Sequence, residues 1–192
     1  MRTLVCLSLA LVGLILLPHA AAAQASPLAA GYWTRGVSAG WGHSWRFGVP
    51  GWHKTRSGVG MVAFHPQLGH FVTDHLEIFG EGTLFVYHGP ETTLGAGATG
   101  LGGRYHFWSD RRWTPFLSVA PGLLWTTLDI PELDRTFNFQ LHYGIGLRVI
   151  PPRGPGLMVE LRNHHLSNAG TAGENLGLNM LTLVAGVQWV LR

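Results

Sequence analysis

Between Thr136 and Val149 the chain alternates in strict period two. Phe137, Phe139, Leu141, Tyr143, Ile145, Leu147 and Val149 share one parity, while Asn138, Gln140, His142, Gly144, Gly146 and Arg148 hold the other. Successive side chains of a strand point to opposite faces, so the segment offers large apolar groups to one environment and polar or absent ones to the other. A soluble sandwich strand rarely runs so long; a strand with lipid outside and a filled interior does. The same alternation predicts eight strands, roughly 33–46, 57–65, 71–88, 93–108, 113–127, 136–149, 156–168 and 178–191. Turn chemistry separates them, as at Val49-Pro50-Gly51, Gly89-Pro90-Glu91, Ser109-Asp110-Arg111 and Pro151-Pro152-Arg153-Gly154-Pro155. The expected fold is all-β: an eight-stranded antiparallel transmembrane β-barrel, too narrow to serve as a diffusion pore.

The N-terminus follows a different pattern. Met1-Arg2-Thr3 is a short positive start, Leu4 to Leu17 is uncharged and apolar, and Ala21-Ala22-Ala23 precedes Gln24. This predicts a cleaved secretory signal peptide over 1–23 and a barrel over 24–192. After residue 23 no run of about 18 apolar residues occurs, so crossing by helices is excluded. Only 12% of residues are charged, about half the usual share of soluble domains, while Gly (27) and Trp (8) are abundant. An apolar outer band with aromatic girdles accounts for all three features and places the barrel in the outer membrane of a bacterial cell. The single cysteine, Cys6, lies in the apolar leader, so 24–192 has neither a disulfide framework nor a thiolate site. Basic residues are scattered among Trp and His, which leaves no nucleic-acid footprint.

The chemistry concentrates between Glu160 and Asn179, ELRNHHLSNAGTAGENLGLN. Leu157, Val159 and Leu161 mark an outward face, and Asn163, His165 and Ser167 continue it. On the last strand Leu181, Leu183, Ala185, Val187, Trp189 and Leu191 mark the outward face, and Asn179 shares their parity. Polar groups turned toward lipid are costly and call for a reason. Residues two apart on a strand have Cα atoms roughly 6.5 Å apart on one face, which lets an imidazole reach a hydroxyl. That is the base–nucleophile pair of acyl transfer, and an amide oxygen can orient the imidazole in place of a carboxylate. Glu160 and Arg162 share the inward parity and read as an interior ion pair. His88, His106, His142 and His164 fall on inward or rim positions, where imidazoles join interior networks. His43, His53, His65, His70 and His75 lack the pairing and acidic partners of a metal site. The tryptophans, Trp45 among them, read as interfacial girdles.

His165-Leu166-Ser167-Asn168-Ala169 followed by Asn175-Leu176-Gly177-Leu178-Asn179 resembles the C-terminal signature of the PagL-type lipid A 3-O-deacylases. Thr114-Pro115-Phe116, Gly122, Phe137-Asn138-Phe139, Gly144-Ile145-Gly146 and Glu160-Leu161-Arg162 extend the resemblance more loosely upstream. It implies an outer-membrane serine esterase that removes the ester-linked 3-O acyl chain from lipid A of lipopolysaccharide, with no metal and no cofactor. His165 would be the base, Ser167 the nucleophile, and Asn168 and Asn175 the oxyanion and substrate residues. Where the family carries its triad Glu this chain has Asn179, and Glu174, in the preceding loop, is the nearby carboxylate that could substitute for it. The implied partner is lipopolysaccharide of the outer leaflet, and a homodimer is left open. The alternatives are a non-catalytic structural barrel and an esterase acting on phospholipid.

Overall fold

Eight strands close on themselves in the computed structural model, which describes residues 26–45, 55–89, 92–173 and 175–192. They are β1 (Trp33–Ser44), β2 (Gly60–Phe71), β3 (Leu76–His88), β4 (Thr92–His106), β5 (Trp113–Thr126), β6 (Phe137–Val149), β7 (Gly156–Ser167) and β8 (Leu178–Leu191). Every strand pairs antiparallel with its sequence neighbours, and β1 pairs with β8 to close the barrel. No edge is left with unpaired N–H and C=O groups, which is what a sheet in hydrocarbon requires. The leader expected over 1–23 and the candidate carboxylate Glu174 lie outside the described residues.

Burial follows the alternation. Along β6 the outward series includes Phe137, Tyr143, Ile145, Leu147 and Val149, all exposed, whereas Asn138, Gln140, His142 and Arg148 are buried. Trp33, Trp41 and Trp125 also face outward.

The second strand runs later than its sequence pattern indicates, 60–71 instead of 57–65, and the third begins at Leu76 instead of 71. Pro66 lies just past the expected end of that strand, and proline removes a ladder donor. The barrel accommodates it on one side only. Pro66 pairs in register with Val37 of β1, while the β2–β3 ladder skips His65 and Pro66 and resumes at Gln67↔Glu81. The glycine-rich β4 divides its glycines between two uses. A Cβ on Gly97 would meet Gln140 at 2.8 Å and one on Gly102 would meet the Phe79 ring at 2.6 Å, whereas Gly100 and Gly103 face open space beside a register shift between Ala98 and Gly103.

The lumen is filled in layers. Near the 127–136 connection lies an apolar layer of Met61, Phe85, Tyr87, Leu124, Leu166 and Met180, capped by Leu128, Ile130 and Leu133 from that connection. Below it, Arg162 bonds Glu81 and Glu160, each at 2.9 Å, as the sequence pairing of Glu160 with Arg162 implied. Arg104 and Arg148 share Glu77 at 2.8 and 2.7 Å. Leu28, Phe71 and Ile150 close the far end. His65 corrects its sequence reading: it does have an acidic partner, Glu81 at 3.2 Å, supplied by the neighbouring strand.

Connections at the two ends differ. Segments 72–75, 107–112 and 150–155 are short, while at the opposite end 45–59, 127–136 and 168–177 are longer and 89–91 alone is short. Outer-membrane barrels carry short periplasmic turns and longer extracellular loops, so the long-loop end is the external one. β7 ends and β8 begins there.

Candidate active site

His165 and Ser167 sit in the last turns of β7, in line with the exposed Leu157, Val159 and Leu161, and both are half-buried. Their side chains therefore leave the outer wall of the barrel near its external rim. His165 is the direct cross-strand partner of Asn179 on β8 and of Leu141 on β6. Direct partners in an antiparallel pair have Cβ atoms about 5 Å apart. The Asn179 Oδ1 consequently accepts a 2.9 Å hydrogen bond from His165 Nδ1. An amide oxygen can only accept, so Nδ1 is the donor, and when the ring is neutral its lone pair lies on Nε2.

Asn163, which the sequence placed only on the outward face, and Trp45, read there as a girdle residue, complete this arrangement. Asn163 lies on the same outward parity yet is 6% exposed, and Asn179 likewise. Asn163 Nδ2 donates to Asn179 Oδ1 at 3.4 Å, and Trp45 Nε1 donates to Asn163 Oδ1 at 2.8 Å. Trp45 thus does more than mark an interface: its indole N–H satisfies an amide on the lipid-facing parity, and its backbone N–H bonds the Asn179 carbonyl. The available signal was the outward parity of Asn163, a polar group where hydrocarbon is expected.

Gly177 seats the imidazole. Its φ is +71°, and a Cβ there would lie 2.8 Å from His165 Cε1. Only glycine adopts this backbone at little cost while leaving space for the ring. Gly177→Ala is expected to displace the His165 ring and, if that ring is a general base, to lower turnover about tenfold to a hundredfold, because misplacing a reacting group by ~1 Å costs up to ~10². The His165 ring signals in spectra of the variant measure the displacement, and signals unchanged from wild type would show that the ring has slack.

Ser167 is followed by a tight turn. Asn168 is fully buried. Its Oδ1 accepts from Gly170 N at 2.8 Å, an Asx turn, and Ala169 takes a φ of +53° within it. Its Nδ2 donates to Leu133 O at 3.0 Å, tying the turn to the 127–136 connection. Its backbone N–H donates to Asn175 Oδ1 at 3.2 Å. The amide of Asn175 is therefore held against the residue following Ser167, and no described group takes its Nδ2.

Glu132, another residue without a sequence signal, joins three connections. Its carboxylate accepts from Arg56 N and Ser57 N, both at 2.6 Å, and from Ser57 Oγ at 2.7 Å. Its carbonyl accepts from Gly177 N at 3.2 Å. Burial alone would raise its pKa, but the Ser57 hydroxyl and the Ser57 and Arg56 N–H groups outweigh it and hold the pKa below the usual carboxylate value. Thr55 Oγ1 accepts from Asn179 N at 2.8 Å and donates to Gly177 O at 3.3 Å. Three external connections thus converge on the two residues, Gly177 and Asn179, that hold His165.

Comparison with known proteins places the chain. The family model described as lipid A 3-O-deacylase (PagL) matches residues 29–188. Among solved structures, the outer membrane enzyme PagL aligns with a TM-score of 0.60 at 18% identity, over 79% of this chain and 98% of that one. The N-terminal β-barrel domain of OprF from Pseudomonas aeruginosa aligns at 0.46 and 14% identity, over 80% and 97%. The outer membrane protein OprG from Pseudomonas aeruginosa aligns at 0.47 and 10% identity, over 84% and 97%. No curated protein matches the chain. None of these comparisons supports a homodimer.

Proposed function

This chain belongs to the lipid A 3-O-deacylase (PagL) family, and from that premise we propose that it is a serine esterase of the outer membrane, removing the 3-O acyl chain of lipid A through Ser167 and His165. The observation that carries the reading is the placement of a histidine and a serine two residues apart on the lipid-facing wall. The substrate is itself a component of the outer leaflet. Its ester can approach from beside the barrel at the external rim, so the filled lumen is no obstacle.

In this mechanism Ser167 Oγ attacks the ester carbonyl while His165 Nε2 takes its proton. The bond from carbonyl carbon to Ser167 forms, and the carbonyl electrons move onto oxygen. Asn175 Nδ2 donates to that oxyanion; preorganised donors of this kind contribute about 10² to 10³ in rate. Asn168 was the other candidate donor, but its contacts suit it to fixing the turn after Ser167. Collapse of the intermediate breaks the bond to the sugar oxygen, which leaves with the proton from His165. Water, deprotonated by His165, then releases the fatty acid and restores Ser167. Asn179 keeps the ring in the competent tautomer without lending it a charge. A neutral acceptor stabilises the imidazolium less than a carboxylate would, so the rate is expected to be modest.

The test is the mass of the product. Purified protein incubated with lipopolysaccharide in detergent should convert lipid A to a species lacking one hydroxyacyl chain, the free acid appearing in equal amount. Unchanged lipid A across all lipid conditions would leave a structural barrel, a reading that the uncharged Asn179 favours. Release of fatty acid from phospholipid but not from lipid A would make it an esterase of the second class.

A further inference from the structure

The placement of Asn at 179 raises a problem that a carboxylate would not. An amide has an acceptor end and a donor end, nearly identical in shape, and only one of them serves a general base. If the Asn179 NH₂ faced His165, Nδ1 would become the acceptor and the proton would sit on Nε2. The ring could then no longer take a proton from Ser167. Reversal of this tautomer costs about 10⁴ in a serine protease.

Resting on the esterase reading above, we propose that Trp45 and Asn163 are positioning residues that fix the orientation of the Asn179 amide, and through it the tautomer of His165. The geometry is a one-way chain. The indole Nε1 of Trp45 can only donate, and it donates to Asn163 Oδ1 at 2.8 Å. That contact turns the other end of the Asn163 amide, Nδ2, toward Asn179, 3.4 Å away. A donor there demands an acceptor, so Asn179 presents Oδ1, the same atom that His165 Nδ1 reaches at 2.9 Å. One unambiguous donor thus sets the sense of two ambiguous amides. Asn163 and Asn179 are both 6% exposed, and little water reaches them to offer an alternative partner. The backbone reinforces the seating, since Trp45 N donates to Asn179 O at 3.0 Å. The chain also explains why a third polar residue, Asn163, occupies the lipid-facing parity of β7.

The experiment compares Asn163→Leu and Trp45→Phe in two backgrounds, with Asn179 and with Asn179→Glu. A carboxylate has no donor end to misplace, so the relay matters only when residue 179 is Asn. With Asn179, each substitution should lower kcat on lipopolysaccharide about tenfold and leave KM within twofold. With Asn179→Glu the same substitutions should change kcat by less than about twofold. A merely structural role would cost the same factor in both backgrounds, and that result would overturn the relay. Nitrogen-15 spectra of labelled protein, with the His165 signals assigned by their loss in His165→Gln, give a readout independent of turnover. Wild type should show the Nδ1–H form, and Asn163→Leu a mixture; an unchanged signal again overturns the proposal. If Ser167→Ala released acyl chains as fast as wild type, the esterase reading would fail instead, and the spectra would still decide the relay. Heat-modifiable migration confirms folding of each variant, and Trp45→Phe keeps the proposal testable should Asn163→Leu not assemble.

Discussion

Ser167→Ala is expected to abolish acyl release, lowering kcat by at least about 10³ while the barrel folds and migrates as wild type. In hydrolases whose nucleophile and base act as a unit, removing either costs up to ~10⁶, and removing both costs little more. The same non-additivity is expected here: His165→Ala should fall as far as Ser167→Ala, and the double variant no further. The fold should tolerate these changes because both side chains are half-buried on the outer wall and contribute nothing to the lumen layers. Mass spectrometry of lipid A and heat-modifiable gel mobility together check it. A Ser167→Ala protein retaining a tenth of the wild-type rate would remove Ser167 from the chemistry.

The largest effect on stability should come from Arg162, far from the ester. Its guanidinium is 3% exposed and bonds Glu81 and Glu160, each at 2.9 Å, while Ser118 Oγ donates to Glu160 at 2.6 Å. Arg162→Met leaves two buried carboxylates without their shared cation: Glu81 keeps His65 at 3.2 Å and His142 at 3.5 Å, and Glu160 keeps the Ser118 hydroxyl. Breaking a buried pair by removing one partner costs about 3–5 kcal/mol, because the remaining charge is uncompensated. Urea unfolding of the variant in detergent should show a loss of that order. Replacing Glu81, Glu160 and Arg162 together by apolar residues of similar volume should come close to neutral, since the desolvation penalty disappears along with the attraction. A single variant as stable as wild type would mean that water enters the lumen and screens the pair.

The alternation in β6, β7 and β8 was legible in the sequence because lipid imposes a simple rule: every second residue must be apolar over the membrane's thickness. The same rule made His165, Ser167 and Asn179 visible as exceptions on two neighbouring strands. β2 and β3 were read less well. Whether Pro66 ends a strand depends on whether its missing N–H faces a partner, and that is a property of the ladder. The histidine partners were hidden for a similar reason. Glu81 is sixteen residues from His65, across the β2–β3 pairing, and eighty-one from Arg162, which only barrel closure brings to it.

By itself the sequence determined the strand count and the outward parity, and it placed His165 and Ser167 together on one face, because each depends on spacing along a single strand. Tertiary structure decided what surrounds that pair. Trp45 and Thr55 from the 45–59 connection, Glu132 from 127–136 and Asn163 from β7 reach Gly177, Asn179 and one another. Hydrogen bonds between loops are set by how the barrel closes, and no periodicity along the chain records which donor will meet which acceptor.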